Sequence, residues 1–115
     1  MVATILTVIV AAVHFYFLYL EMVKWEAPRT RAVFGTTPEF AAQSRVMAAN
    51  QGLYNGFLAV GLILSLVIGN ASMAVYLLAC VAIAGIYAAY CGIKPALYFQ
   101  TVPAILALVA LSVGI

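Results

Sequence analysis

The sequence predicts an all-α integral membrane protein, a four-helix bundle of up-down topology with both termini outside. Three observations carry that prediction. First, 68% of the 115 residues are hydrophobic and only 7% are charged, where a soluble domain carries roughly a quarter charged. Second, at about 20 apolar residues per crossing, four crossings use roughly 80 residues and leave about 35 for ends and connections. Residues 1–115 therefore read as a single transmembrane domain without room for an appended soluble one. Third, all five Lys and Arg residues (Lys24, Arg29, Arg31, Arg45, Lys94) fall beside the first and third connections.

The first helix runs over about 2–25. Val2 to Leu20 is apolar or hydroxyl-bearing apart from His14, and Glu21, Lys24 and Trp25 close it. Lys24 and Trp25 have the character of interfacial anchors. The N-terminus carries no positively charged region before its apolar run, which favours a retained first helix over a cleaved signal peptide. A loop follows over about 26–40, where Pro28, Arg29, Arg31, Gly35, Pro38 and Glu39 interrupt the hydrophobic pattern. Within it, Thr37 and Pro38 make a helix start, as N-cap and first helical residue.

The second helix covers about 41–68, polar at first and wholly apolar from Phe57 to Ile68. Gly69-Asn70 is a tight turn. The third helix covers about 71–92 and the fourth about 95–113, with Pro103 removing a backbone bond to Phe99 and predicting a kink near Gln100. Ala48, Gly52 and Gly56 on the second helix, and Cys80, Ala84, Ala88 and Gly92 on the third, recur every four residues as small-residue seams. Cys80 and Cys91 stand about 16 Å apart along one helix, beyond disulfide reach.

Because Lys and Arg in short loops stay cytoplasmic, the charged connections belong in the cytoplasm of a multi-pass protein of the bacterial inner membrane. Net charge is +2, with no basic stripe of the kind nucleic acid requires; the bilayer is the expected partner. One histidine and three scattered glutamates make no metal set, and no phosphate loop or nucleophile elbow is present.

Polar side chains within a span are costly enough to mark function. At 1.5 Å per residue, His14 lies about 10 Å inside Glu21, Asn50 about 8 Å and Tyr54 and Asn55 about 14–15 Å inside Arg45, Tyr87 about 10 Å inside Lys94, and Gln100 about 9 Å inside it. All four helices thus bring strong polar groups to one layer. His14, Glu21, Arg45, Asn50, Gln51, Tyr54, Asn55, Tyr87 and Gln100 are the candidate residues of a pocket in the cytoplasmic half. His14 and Glu21 share a helix face, as do Asn50 and Tyr54, and Gln51 and Asn55; Asn50 and Asn55 are about 140° apart. Structural alternatives stand beside these roles: His14 as an interhelical hydrogen-bond donor to a carbonyl or to Tyr54, Glu21 as an interfacial partner of Lys24 or Arg45, and Tyr87, with Tyr90 and Tyr98, as an interfacial aromatic.

His14 through Met22, then Trp25 and Phe34, then Asn50-Gln51-Gly52-Leu53-Tyr54-Asn55-Gly56-Phe57-Leu58-Ala59, Ala84-Gly85-Ile86-Tyr87, Gln100 and Pro103-Ala104 together resemble the small bacterial integral membrane proteins of domain-of-unknown-function family 1304. The resemblance runs nearly the whole length and implies four transmembrane helices with no established biochemical activity. In the second helix alone, Arg45, Ala48 or Ala49, Asn50 and Tyr54 are similar to the membrane-associated eicosanoid and glutathione metabolism family, which implies outside termini, a trimer and glutathione as cofactor. The glutamate of that family's pattern is replaced here by Leu53 and Tyr54.

The expected function is binding of a small or lipophilic ligand in the pocket. Three alternatives accompany it. In a glutathione-transferase-like enzyme, Arg45 and Lys94 hold the thiol cofactor, Asn50 and Gln51 orient it, and Tyr54 or Tyr87 bonds its thiolate. The second is a proton-linked transporter using Glu21 and His14. The third is a structural or partner-binding subunit. The small-residue seams also suit a homo-oligomer.

Overall fold

The computed structural model describes residues 1–115 and is all-helical, without strands. Helix α1 spans Val2–Met22, α2 Pro28–Phe34, α3 Pro38–Gln43, α4 Arg45–Val67 and α5 Ala71–Tyr90, followed by a π-helical turn over Leu97–Thr101 and α6 over Val102–Val113. Helices α1, α4 and α5 are each long and apolar enough to cross a membrane, and Leu97–Val113 is a shorter apolar helix.

Local chemistry sets the boundaries. The segment read as a loop over 26–40 contains α2 and starts α3. Pro28 opens α2, and Gly35 closes it in the left-handed region at φ 70°. Thr37 caps α3 by accepting the Phe40 amide at 3.1 Å, with Pro38 at the first turn. Helix α4 begins at Arg45 because Ser44 leaves helical geometry. There the Ser44 hydroxyl donates to the Phe40 carbonyl at 2.7 Å and accepts from Trp25 Nε1 at 3.0 Å. Trp25 is buried, tilted against Phe34 at 5.0 Å between ring centroids and packed near Ala41 and Ala48. It therefore lies beyond the end of α1 and folds the connection back onto α4. Asn70 caps α5 by accepting the Met73 amide at 3.0 Å, with Gly69 at φ 67° making the preceding turn.

Helix α1 packs chiefly on α4 and also on α6, while α5 packs on α4, α6 and the π turn. The main core draws Val10 and Ala11 from α1, Ala59 and Leu62 from α4, Leu78, Val81 and Ala82 from α5, and Ala104 and Ala107 from α6. Each of these helices contributes at least one alanine to the core, and such small side chains allow close axes, the packing mode of helices in lipid. The α4 seam is that kind of contact: a Cβ on Gly56 would meet Leu18 Cδ1 at 2.6 Å. On α5 the tight residue is Gly85, against Thr101 and Gln100 of the π turn, one position out of the stripe read from the sequence. That stripe's Ala84 and Ala88 instead line a cavity.

The π turn occupies the place where Pro103 predicts an irregularity. A π turn inserts one residue into the helical repeat and commonly marks a functional site. Here the Thr101 hydroxyl donates to the Ala82 carbonyl at 3.0 Å, tying the turn to α5.

Candidate functional site

A cavity of about 820 Å³ lies between α1, α2, α4, α5 and the π turn. Its walls are mostly apolar, with Tyr16 and Phe17 from α1, Phe34 from α2, Ala84 and Ala88 from α5, and Phe99 from the π turn. The polar side chains on it besides Tyr16 are Glu21, Gln51, Asn55 and Gln100.

Glu21 is the centre of this polar group. It is 1% exposed, yet no cation answers it: the chain's one ion pair joins Arg45 and Glu26 at 3.7 Å on the surface. Two amides from α4 take that role. Gln51 Nε2 donates to Glu21 Oε2, and Asn55 Nδ2 donates to Oε1 at 2.5 Å. Gln51 and Asn55 are four residues apart, hence on one helix face, and both reach the carboxylate because Gly52 lets the two backbones approach. A Cβ at Gly52 would stand 3.0 Å from Glu21 Cβ and 3.3 Å from the Leu18 carbonyl oxygen. A buried carboxylate requires hydrogen bonds in place of water, and these amides supply one to each oxygen. A carboxylate has about four acceptor positions, so these two bonds leave about half its capacity unused where Glu21 borders the cavity.

His14 is fully buried two turns along α1 from Glu21. Its Nδ1–H donates to the Val10 carbonyl at 2.8 Å, which leaves Nε2 as the acceptor nitrogen, buried without a partner. The ring meets Phe17 edge-on at 5.6 Å, and the Gln100 amide lies beside it without closing a well-formed hydrogen bond. His14 thus sits behind the wall, while Phe17 and Gln100 are part of it.

Of the residues proposed from the sequence, the structure gathers Glu21, Gln51, Asn55 and Gln100 on the cavity, with His14 behind them. The others lie elsewhere. Arg45 projects outward to Glu26 with its side chain 70% exposed. Tyr54 packs edge-on to Phe57 on the outer face of α4, and Tyr87 is exposed on α5. Asn50 is exposed and off the wall. Sequence reasoning missed the aromatic walls, although Phe17 precedes Glu21 by one helical turn and shares its face. Phe34 carried no such signal, since a short helix inside the connection brings it there. No three His, Cys, Asp or Glu side chains come together as a metal site.

The family model described as "Protein of unknown function (DUF1304)" matches residues 8–112. The chain is 32% identical over 110 residues to the uncharacterized protein YpaA of Lactococcus lactis subsp. lactis (strain IL1403), covering 92% of each. No solved structure matches it. The region matched by the model includes every residue on the cavity wall, and on these two likenesses the chain belongs to the DUF1304 family.

Proposed function

We propose that the chain is a multi-pass protein of the bacterial inner membrane, four helices in up-down order with both termini outside, whose cavity binds a small lipophilic ligand from the cytoplasmic side. The observation that carries this reading is a buried carboxylate held by two amides at the wall of an otherwise apolar cavity. An apolar side chain would fill the space without a desolvation cost, so a buried carboxylate at the wall of a cavity favours binding over packing alone. The cavity's volume falls within the usual range of small-molecule sites, and so does its pairing of apolar walls with few polar groups.

The cytoplasmic assignment is supported by the connections. Val33 and Phe34 come from the first charged connection and Ile93 and Pro95 from the third, and all four line the cavity. Both chain ends lie at one end of the molecule, where the N-terminal ammonium donates to the Ile115 carbonyl at 2.7 Å, in keeping with an even number of crossings. The glutathione-transferase-like alternative gains nothing from the geometry, since no Lys or Arg lines the cavity to hold an anionic thiol.

Trp25, the only tryptophan, packs at a tilt against Phe34 of the wall and serves as a built-in reporter. In lipid nanodiscs, energy transfer from Trp25 to the neutral lipophilic dye N-phenyl-1-naphthylamine is expected to saturate at one dye per chain. Ala88→Phe, which puts a bulky ring into the cavity from the α5 wall, is expected to weaken the saturable component. Transfer that rises linearly with dye and is the same in Ala88→Phe overturns the reading.

A further inference from the structure

We propose that the ligand class of this cavity is a lipophilic organic cation, with its positive centre against Glu21 and its apolar body among Tyr16, Phe17, Phe34 and Phe99. The proposal rests on the cavity being a ligand site and deepens that reading.

Glu21 is the only ionisable carboxylate or amine on the wall; Lys24, Arg29, Arg31, Arg45 and Lys94 are all absent from it. Its two bonds come from neutral amides, which satisfy hydrogen-bonding positions but cancel no charge. An anionic ligand would meet an unscreened like charge in a poorly solvated space, whereas a cation supplies the missing partner. A neutral ligand would leave the carboxylate as it is.

The walls point the same way. Four aromatic rings line the cavity, and ring faces attract cations most strongly where water is excluded. With one acceptor position on each carboxylate oxygen already taken, the site favours a diffuse positive centre, which needs charge and aromatic surface, over a compact ammonium demanding several hydrogen bonds. Phe17 and Glu21, one turn apart on α1, present both requirements from one helix face.

The test uses the intact chain in nanodiscs and two aryl probes, the tetraphenylphosphonium cation and neutral triphenylphosphine oxide. Each is titrated by displacement of N-phenyl-1-naphthylamine and by direct calorimetry, with empty discs subtracted. Expected is an affinity for the phosphonium about tenfold higher in the native chain than in Glu21→Gln, a difference of about 1.4 kcal/mol. The phosphine oxide is expected to be unaffected and Glu21→Asp to keep most of the cation preference. If Glu21→Gln does not fold, the preference of the native chain for phosphonium over phosphine oxide, relative to empty discs, decides. Equal binding of the two probes, or equal loss of both in a folded Glu21→Gln, overturns the cation assignment while leaving the cavity a ligand site. Absence of saturable binding by all three compounds overturns both.

Discussion

The Asn55 amide nitrogen stands 2.5 Å from Oε1 of Glu21, across an interface that closes this far because residue 52 has no side chain. The pair joins a carboxylate on α1 to a neutral donor on α4, and Gln51 repeats the arrangement at the other oxygen. Asn55→Ala is therefore expected to lower stability by about 1–3 kcal/mol, the cost of leaving a buried acceptor without its donor. Gln51→Ala is expected to cost less, because Gln51 is exposed where Asn55 is half-buried. Combining Asn55→Ala with Glu21→Ala is expected to cost less than the sum of the single changes, with a coupling of about 0.5–3 kcal/mol. Unfolding in mixed detergent and dodecyl sulfate micelles, read by Trp25 emission, measures all of these. Additive single effects would show that the hydrogen bond contributes nothing to stability.

The legible part of this site follows from helical phase. Gln51 and Asn55, four residues apart, share a face, and the same periodicity sets Asn50 and Tyr54 on another, so one pair reaches Glu21 and the other does not. Depth brought Gln100 to the right layer, and Pro103 marked the irregular turn that carries it. Periodicity does not say which face of a helix meets which neighbour when every face is apolar, and that is why Tyr87 shared the layer of Gln100 without sharing its cavity. Trp25 escaped for a different reason. An interfacial anchor and a buried hinge residue look alike in one dimension, and only the chain reversal through Ser44 distinguishes them.

Three of the packed glycines, Gly52, Gly56 and Gly85, are expected to differ in their tolerance of alanine. At Gly56 the obstructing atom is Leu18 Cδ1, the end of a flexible side chain. At Gly52 the obstruction includes the Leu18 carbonyl oxygen at 3.3 Å, and at Gly85 the Thr101 amide nitrogen at 3.0 Å, neither of which moves without its helix. Gly52→Ala and Gly85→Ala are expected to destabilise by about 1–3 kcal/mol, as overpacking does, and Gly56→Ala by less. Gly52→Ala should also weaken probe binding, since it separates Gln51 and Asn55 from Glu21. Retention of full binding and stability in Gly52→Ala would mean that α1 and α4 are not held at this spacing.

Thr101 gives a way to disturb the π turn without touching the cavity. Its hydroxyl donates to the Ala82 carbonyl at 3.0 Å and is buried, while its neighbour Gln100 faces the cavity. Thr101→Val keeps the volume and removes the donor, at an expected cost of about 0.5–1.5 kcal/mol. If the bond fixes the register of the turn, the variant is expected to lower the affinity for N-phenyl-1-naphthylamine while Gly85 packing persists. Unchanged affinity together with lowered stability would assign Thr101 to the fold alone.

Orientation in the membrane has its own test in Cys91. It is exposed just beyond the end of α5 and three residues before Lys94, whereas Cys80 is half-buried within α5. Replacing Cys80 by Ala leaves a single thiol at the end of the molecule that carries the charged connections. Because Lys and Arg hold short connections in the cytoplasm, a membrane-impermeant maleimide is expected to label Cys91 in inverted vesicles and to leave it unlabelled in intact spheroplasts. The chain ends should behave oppositely. Met1 and Ile115 are joined by a hydrogen bond, so tags on both termini are expected to be cleaved together by protease added to spheroplasts. Labelling of Cys91 in intact spheroplasts would place the connections that supply Val33, Phe34, Ile93 and Pro95 to the cavity outside, and the ligand would then have to arrive from the opposite side of the membrane.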